Sequence, residues 1–387
     1  MALPISYNLR SLLVRWKSTL LAIFGIGLVV AVFVGLLSMA SGFRLVLRGT
    51  GSDLNAIVLQ QGSQSELGSS FSRDAGDWVA VDSRIARGAD GKPLASPEFV
   101  TIVALPKQSN GVLSNVTVRG VTPAAFRVRK GIEIIEGRNV RPGLYEVVVG
   151  KRTQERIRGL EVGSKVTLMK RDFDVVGVLS ADGSSFESEI WGDFDAMGSA
   201  FNRSGGENSL TVRLADPGVI KAFDRELQAN PQYQLEMKPE RQYYEDQSGP
   251  FSEFLRGLAI FVSVVMGVGA VFGAMNTMYA IVASRTREIG TLRALGFSRF
   301  SILLTFVLEA VFLATTGGLL GCLLSFAMNG LTGTTSANMG EIAFAFRVTS
   351  IDLACGLFLA VLMGFFGGLL PALRAASLPI VSALREV

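Results

Sequence analysis

Four apolar runs flanked by arginines, with one long polar stretch between the first and second, predict an integral membrane α-helical protein. Its expected form is four transmembrane helices with a large extracytoplasmic α+β domain inserted between the first two. Apolar residues make up 49% of the 387-residue chain and charged residues 18%, a balance shifted towards membrane proteins. Distribution decides the matter, because the runs at residues 19–40, 251–283, 301–331 and 351–370 each reach the roughly 20 residues that a helix needs to cross ~30 Å of hydrocarbon.

Residues 1–18 place Leu9, Leu12, Leu13 and Trp16 at helical spacing among Arg10, Arg15 and Lys17, the pattern of an amphipathic elbow lying on a cytoplasmic membrane surface. Ser38-Met39-Ala40 at the end of the first run would also suit a signal peptidase. A cleaved leader carries a core of only ~7–15 apolar residues, so the longer run is read as a span.

Residues 41–250 are polar and rich in turn residues, with short β-branched stretches between Gly, Asp, Asn and Pro clusters. Strands are expected at Asp53–Gln60, Glu98–Ala104, Asn115–Val121, Glu146–Val149, Lys165–Met169, Phe173–Leu179 and Ser209–Leu214. Helices are expected at Thr153–Arg158 and Pro217–Ala229, and the Ser-, Gly- and Gln-rich stretch Gln61–Gly76 reads as a mobile loop. Residues 332–350 read as an extracytoplasmic loop and 371–387 as a cytoplasmic tail.

Charge sets the topology. Arg10, Arg15 and Lys17 precede the first run, Arg285, Arg287, Arg293 and Arg299 stand between the second and third against Glu288 alone, and Arg374 and Arg385 follow the fourth. The positive-inside rule then places both termini and residues 284–300 in the cytoplasm and the large domain outside a cytoplasmic membrane. The net charge of +4 therefore reflects topology rather than nucleic-acid binding. The chain has no histidine, and its two cysteines, Cys322 and Cys355, lie in apolar runs. Zinc sites, Ser-His and Cys-His catalysis and a disulfide-stapled domain are thereby excluded, and no catalytic, cofactor or metal site is expected.

Residues 284–300 form a short helix in this reading, with Ile289, Leu292 and Leu295 on one side and Arg285, Glu288 and Arg299 on the other. Joined directly to two spans, such a helix can transmit force; equally, its arginines can simply anchor the span ends.

The string Arg287-Glu288-Ile289-Gly290-Thr291-Leu292-Arg293-Ala294-Leu295-Gly296 strongly resembles the loop signature of the FtsX-like, MacB-type ABC permease family. The resemblance continues through Leu308-Glu309-Ala310 and Gly317, Gly318 and Gly321, and into a tail with Pro371, Arg374, Pro379 and Arg385 at similar spacing. Val118–Pro123, Gly137-Arg138, Glu146–Gly150, Gly163–Thr167 and Phe173–Leu179 resemble the MacB-type periplasmic core domain, whereas about 62–96 aligns with nothing. The resemblance implies that Arg285 to Gly296 form a coupling helix docked on an ABC ATPase. No Gly-x-x-x-x-Gly-Lys-Ser/Thr phosphate loop occurs, so ATP and Mg are expected in a separate partner subunit. A second permease copy, a periplasmic adaptor and an outer-membrane channel are the further partners implied, with membrane lipid around the helices. Export by mechanotransmission is the function implied; activation of an extracytoplasmic hydrolase, as in FtsX members, and lipoprotein extraction of the LolC/LolE kind are the alternatives.

Two polar residues lie inside spans. Glu309 falls roughly 13 Å into the third, a depth that demands another helix, water or a cation beside it. It reads either as a switch coupling that span to the arginine-rich loop or as a structural hydrogen-bonding residue. Asn276 reads as glue between helices. Glycine pairs at 269/273, 317/321 and 364/368 predict close helix packing.

Overall fold

The computed structural model describes residues 16–203, 205–337 and 340–380, so the expected elbow helix and Arg385 lie outside the described residues. In chain order the helices of four or more residues are α1 (Trp16–Thr50), α2 (Arg73–Ala80), α3 (Ala125–Val128), α4 (Lys151–Arg156), α5 (Phe194–Ala200), α6 (Ile220–Ala229), α7 (Glu240–Ser284), α8 (Thr286–Ala294), α9 (Arg299–Ala327) and α10 (Ser350–Ser377). The strands are β1 (Asn55–Gln60), β2 (Phe71–Ser72), β3 (Ala95–Pro106), β4 (Leu113–Val121), β5 (Glu133–Gly137), β6 (Glu146–Gly150), β7 (Lys165–Leu168), β8 (Arg171–Ser180), β9 (Glu189–Asp193), β10 (Gly206–Glu207), β11 (Ser209–Arg213), β12 (Leu235–Pro239), β13 (Thr332–Ala337) and β14 (Gly340–Ala345). Two compact units result, one formed by residues 43–251 with 332–344 and the other by the remaining described residues.

The first unit is built on a mixed sheet in the order β12-β1-β11-β3-β4-β9-β6-β8-β5, with β7 paired to β8. Pairing is parallel between β4 and β9 and between β6 and β8. Phe99, Val118, Val149, Phe173 and Ile190 build one core, while Val58, Val79, Val212, Phe223 and Leu227 build a second where α2 and α6 cover the other end of the sheet. All the strands expected from sequence are present within a few residues. Missed were β5, β9, β12 and the short β2, β10, β13 and β14. The Glu-Ile-Trp-Gly-Asp sequence of β9 shows why: all five residues are buried, so no alternation marks it.

The stretch Gln61–Gly76 is not a free loop. It carries a 3-10 turn at Glu66–Gly68, then β2, and then α2, whose N-cap Ser72 accepts a hydrogen bond from the amide of Ala75. Glu66 is the reason for this order. Its carboxylate binds the guanidinium of Arg119 at 2.7 Å, and Arg119 also pairs with Glu98 at 2.6 Å and Glu189 at 2.8 Å, all of them buried. A second buried guanidinium, Arg129, pairs with Glu98 and, at 3.0 Å, with Glu240. Burial works against the charged form of Arg119, but Glu189, Glu66 and Glu98 outweigh it and hold its pKa well above that of a free guanidinium. For Glu66, burial is likewise overcome, chiefly by Arg119, leaving its pKa below the ordinary value.

Two helices run further than the apolar pattern suggested. Helix α1 continues to Thr50 rather than residue 40, because Phe43, Val46 and Leu47 extend a buried helical stripe. Helix α7 starts at Glu240 rather than residue 251 and carries Pro250 in its interior. The two ends meet in the first unit: Phe43 and Phe251 stack edge to face at 4.9 Å, and a Cβ at Gly51 would lie 2.5 Å from the backbone of Arg241. Glu240 fastens the joint, accepting from the amide of Ser52 at 3.0 Å and from Asn55 at 2.9 Å.

In the second unit four helices, α1, α7, α9 and α10, are long and apolar enough to cross a membrane. Close packing follows two of the three glycine pairs. A Cβ at Gly317 would lie 2.7 Å from the carbonyl oxygen of Ile23, and one at Gly321 would overlap that of Gly27, so α9 lies directly on α1. Gly364 and Gly368 similarly admit Ala314 and Ala310 of α9. Gly269 and Gly273 differ: among the described residues no atom of another helix comes within 4 Å of where their Cβ would stand.

Two predictions follow from the first unit. Arg119→Met would leave three carboxylates buried without their shared cation, and is expected to destabilise the unit by about 3–5 kcal/mol; an unchanged unfolding transition of the purified chain would show the network to be energetically idle. Glu207 is buried against Gly76, its Oε2 has no hydrogen-bond partner among the described residues, and burial, together with the charge of Asp77, pushes its pKa up to about 8. The unfolded chain then loses this proton at lower pH than the folded chain, so stability falls as pH rises from about 4.5 to about 8. Glu207→Gln is expected to raise the melting temperature relative to the parent at pH 9 and to give no gain at pH 4, as read by differential scanning fluorimetry.

Candidate functional site

The nine residues of α8 join the end of α7 to the start of α9. Gly296, with φ of +95°, turns the chain after the helix, and the Ser298 hydroxyl caps α9 by accepting from the amide of Ser301. Ile289 is 2% exposed and lies in a cluster with Met278, Ile281, Ile302, Phe306 and Ala372, with Leu292 packed at its edge. Gly290 is buried beside them. Thus one side of α8 is bonded into the helical unit through α7, α9 and α10.

Leu295 does not join this face. It stands one residue past the helix and is 73% exposed; Arg287 and Arg299 are exposed too. The expected apolar side of Ile289, Leu292 and Leu295 therefore divides into an inward pair and an exposed leucine, because the helix ends at Ala294. Phe300, at the start of α9, is 69% exposed and was not singled out from sequence. Its signal was a large aromatic residue directly between Arg299 and the next span. Arg293 is half-buried, and its Nε has no hydrogen-bond partner among the described residues.

Arg285, at the junction of α7 and α8, turns inward. Its guanidinium reaches Glu288 at 2.7 Å and Glu309 at 3.1 Å, and lies 5.4 Å from the ring centre of Phe306. Glu309 of α9 is fully buried at its side chain, so the carboxylate that looked costly inside a span has a cation from the loop beside it. Desolvation, and then the nearby charge of Glu309, raise the pKa of Glu288.

The remaining polar and tail residues separate from this cluster. Asn276 is exposed on α7 and makes no hydrogen bond among the described residues, so within this chain it is not glue between helices. Helix α10 continues through the buried Pro371 to Ser377, beyond the expected end at residue 370, because Ala372, Ala375 and Ala376 keep its packing face small. Arg374 lies 5.7 Å over the ring of Tyr279 on α7, and the exposed Pro379 follows the helix end. Among the described residues no group of three or more His, Cys, Asp or Glu could hold a metal ion.

The Arg285–Glu309 pair is testable as a stability element. Glu309→Leu is expected to destabilise the helical unit by about 3 kcal/mol by leaving Arg285 short of a buried partner, and adding Arg285→Met is expected to recover most of the loss. Equal stability of the single and double variants in thermal unfolding would remove the pair from the account.

Two family models divide the chain between them. The MacB-like periplasmic core domain matches residues 19–230, more than half of the chain, and the FtsX-like permease C-terminal model matches residues 260–380. Among curated proteins, the macrolide export ATP-binding/permease protein MacB of Shewanella sp. strain ANA-3 is 27% identical over 88% of this chain, and that of Acinetobacter baylyi is also 27% identical over 88%. The chain spans 57% and 56% of the length of these two relatives. Among solved structures, the periplasmic region of MacB from Actinobacillus actinomycetemcomitans matches 51% of this chain and 92% of its own length at 14% identity, with a TM-score of 0.37. The chain belongs to the MacB-type, FtsX-like family of ABC transporter permeases.

Proposed function

We propose that this chain is the transmembrane subunit of an ABC exporter of the mechanotransmission type, in which α8 is the coupling helix gripped by a separate ABC ATPase. The observation that carries the reading is the division of α8 into two faces. Ile289, Leu292 and the Arg285–Glu309 pair bind it inward, so a push on the helix passes to α7 and α9 rather than bending a loop. Arg287 of α8, Leu295 just past it, and Arg299 and Phe300 at the start of α9 are exposed, arginine and large apolar side chains of the kinds that protein partners take up.

ATP and Mg bind to the partner ATPase in this reading, and closure of that ATPase shifts α1 and α7, which lead directly into the extracytoplasmic domain. The cargo need not pass between the helices. Both termini and α8 face the cytoplasm of a bacterial inner membrane, as the arginine distribution supports. A second copy of this chain packs on the face of α7 carrying Gly269, Gly273 and Asn276, where small residues and an amide stand free of this chain's own helices. A periplasmic adaptor and outer-membrane channel complete the export assembly.

Leu295→Asp tests the coupling assignment. The variant is expected to insert and fold as the parent does, since Leu295 is 73% exposed, and to lose stimulation of the co-expressed ATPase by at least about tenfold, as charge placed in a buried interface core does. Undiminished ATP hydrolysis by the reconstituted complex would refute it. Co-purification with a cell-wall hydrolase or a bound lipoprotein in place of an adaptor would turn the reading to signalling or lipoprotein extraction.

A further inference from the structure

The loop expected at residues 332–350 is a β13–β14 hairpin, and its second strand is fastened to the extracytoplasmic domain. Glu341 is the centre of the fastening. It pairs with Lys107 of the segment after β3 at 2.8 Å and with Arg156 of α4 at 2.7 Å, and it accepts from the hydroxyl of Ser114 on β4. The next residues follow into the domain: the Ala343 amide donates to Ser188 at 3.1 Å, and its carbonyl accepts from Arg152 at 2.6 Å. Ile342, Ala343 and Phe344 are buried, and Phe344 stacks on Phe43 of α1 at 5.6 Å between ring centres. Gly340, at φ of +86°, sits where a Cβ would strike the Thr117 hydroxyl at 2.5 Å, so the turn into the strand is shaped to this surface.

The contacts bear on function through chain connectivity. Strand β13 follows α9 after a short turn, and β14 precedes α10 by a few residues. A hairpin tied to the domain at Glu341 gives α9 and α10 a hold on it, in addition to the direct continuations of α1 and α7. We propose that this hairpin is a strap through which α9 and α10 act on the extracytoplasmic domain, with Glu341 as the positioning residue that keeps it attached. The proposal rests on the mechanotransmission reading.

The strap joint differs from the joint around Glu240 in exposure. Lys107 and Arg156 keep 30% and 21% of their side chains in solvent, whereas Arg129 and Glu240 keep 3% and 1%. Two partly exposed cations are screened by water and salt more readily than the dry pair at Glu240, so the ion pairs of the strap are the more open to loosening of the two joints. Burial raises the carboxyl pKa of Glu341, but hydrogen bonds from Lys107, Ser114 and Thr334 and the charge of Arg156 outweigh it and bring it to about 2, so the fastening stays ionised across the pH range of a periplasm.

Hydrogen exchange on the full chain in nanodiscs, alone and with its co-expressed ATPase, tests this. In the chain alone, Glu341→Gln is expected to speed exchange of the Ala343 amide by about tenfold while β1 and β11 keep parental rates. Lys107→Gln, at a half-exposed position, gives the same change at smaller size and serves if Glu341→Gln folds poorly. Parental exchange at Ala343 in both variants would overturn the fastening. In the complex, ATP is expected to alter exchange in α8 and in the domain of the parent, and Glu341→Gln is expected to keep the α8 response while losing at least half of the response in β3 and β4. An α8 response with an undiminished domain response in Glu341→Gln would overturn the strap alone. Absence of any α8 response in the parent would overturn the coupling reading and the strap with it.

Discussion

Two guanidinium groups buried within a β-sheet need a full set of acceptors, and the extracytoplasmic domain is organised around supplying them. Arg119 takes Glu66, Glu98 and Glu189; Arg129 takes Glu98, Glu240 and the hydroxyl of Thr211 at 2.8 Å. These acceptors come from five separate places along the chain, from the 3-10 turn at Glu66 to the first residue of α7. A carboxylate missing from the set would leave charge without a counter-charge in low dielectric, so the segments bearing them are held in register together. The turn at Glu66–Gly68 is ordered by this demand despite a Ser-, Gly- and Gln-rich composition. The start of α7 is drawn to the same point, where Glu240 also caps the amide of Ser52 just beyond α1.

The helical unit is governed by a different constraint. Apolar side chains gain little by leaving lipid for one another, so its contacts rest on close approach and on a few polar links. Gly317, Gly321, Gly364 and Gly368 permit the approach, and the ion pair from Arg285 to Glu309 supplies the polar link. Because that pair spans the α7–α8 junction and α9, the short helix between them is a rigid corner. Its outer residues remain available for contact, and the same surface carries the family's loop signature.

Two joints inside the extracytoplasmic domain differ in their exposure to solvent. The joint at Glu240 is dry, while the one at Glu341 is fringed by solvent at Lys107 and Arg156 and backed by the buried Ile342, Ala343 and Phe344.

The sequence by itself determined the four spans, the insertion of the large domain, most of its strands and the position of α8, because run length, two-residue alternation and flanking arginines are local signals. It also made Glu309 conspicuous, since a carboxylate within an apolar run announces a need for a partner. It took the folded chain to show who that partner is, that Leu292 packs inward while Leu295 past the helix is exposed, and that among the described residues no other helix crowds Gly269 or Gly273 while the other pairs are packed. It alone showed Glu66, Glu98, Arg119, Arg129, Glu189 and Glu240 to be one cluster, and Glu341 to be a fastening rather than part of a loop. The physical reason is common to all of these: an ion pair or a helix contact between residues tens or hundreds of positions apart leaves no periodic mark on either segment, and it exists only where the folded chain brings both into the same dry space.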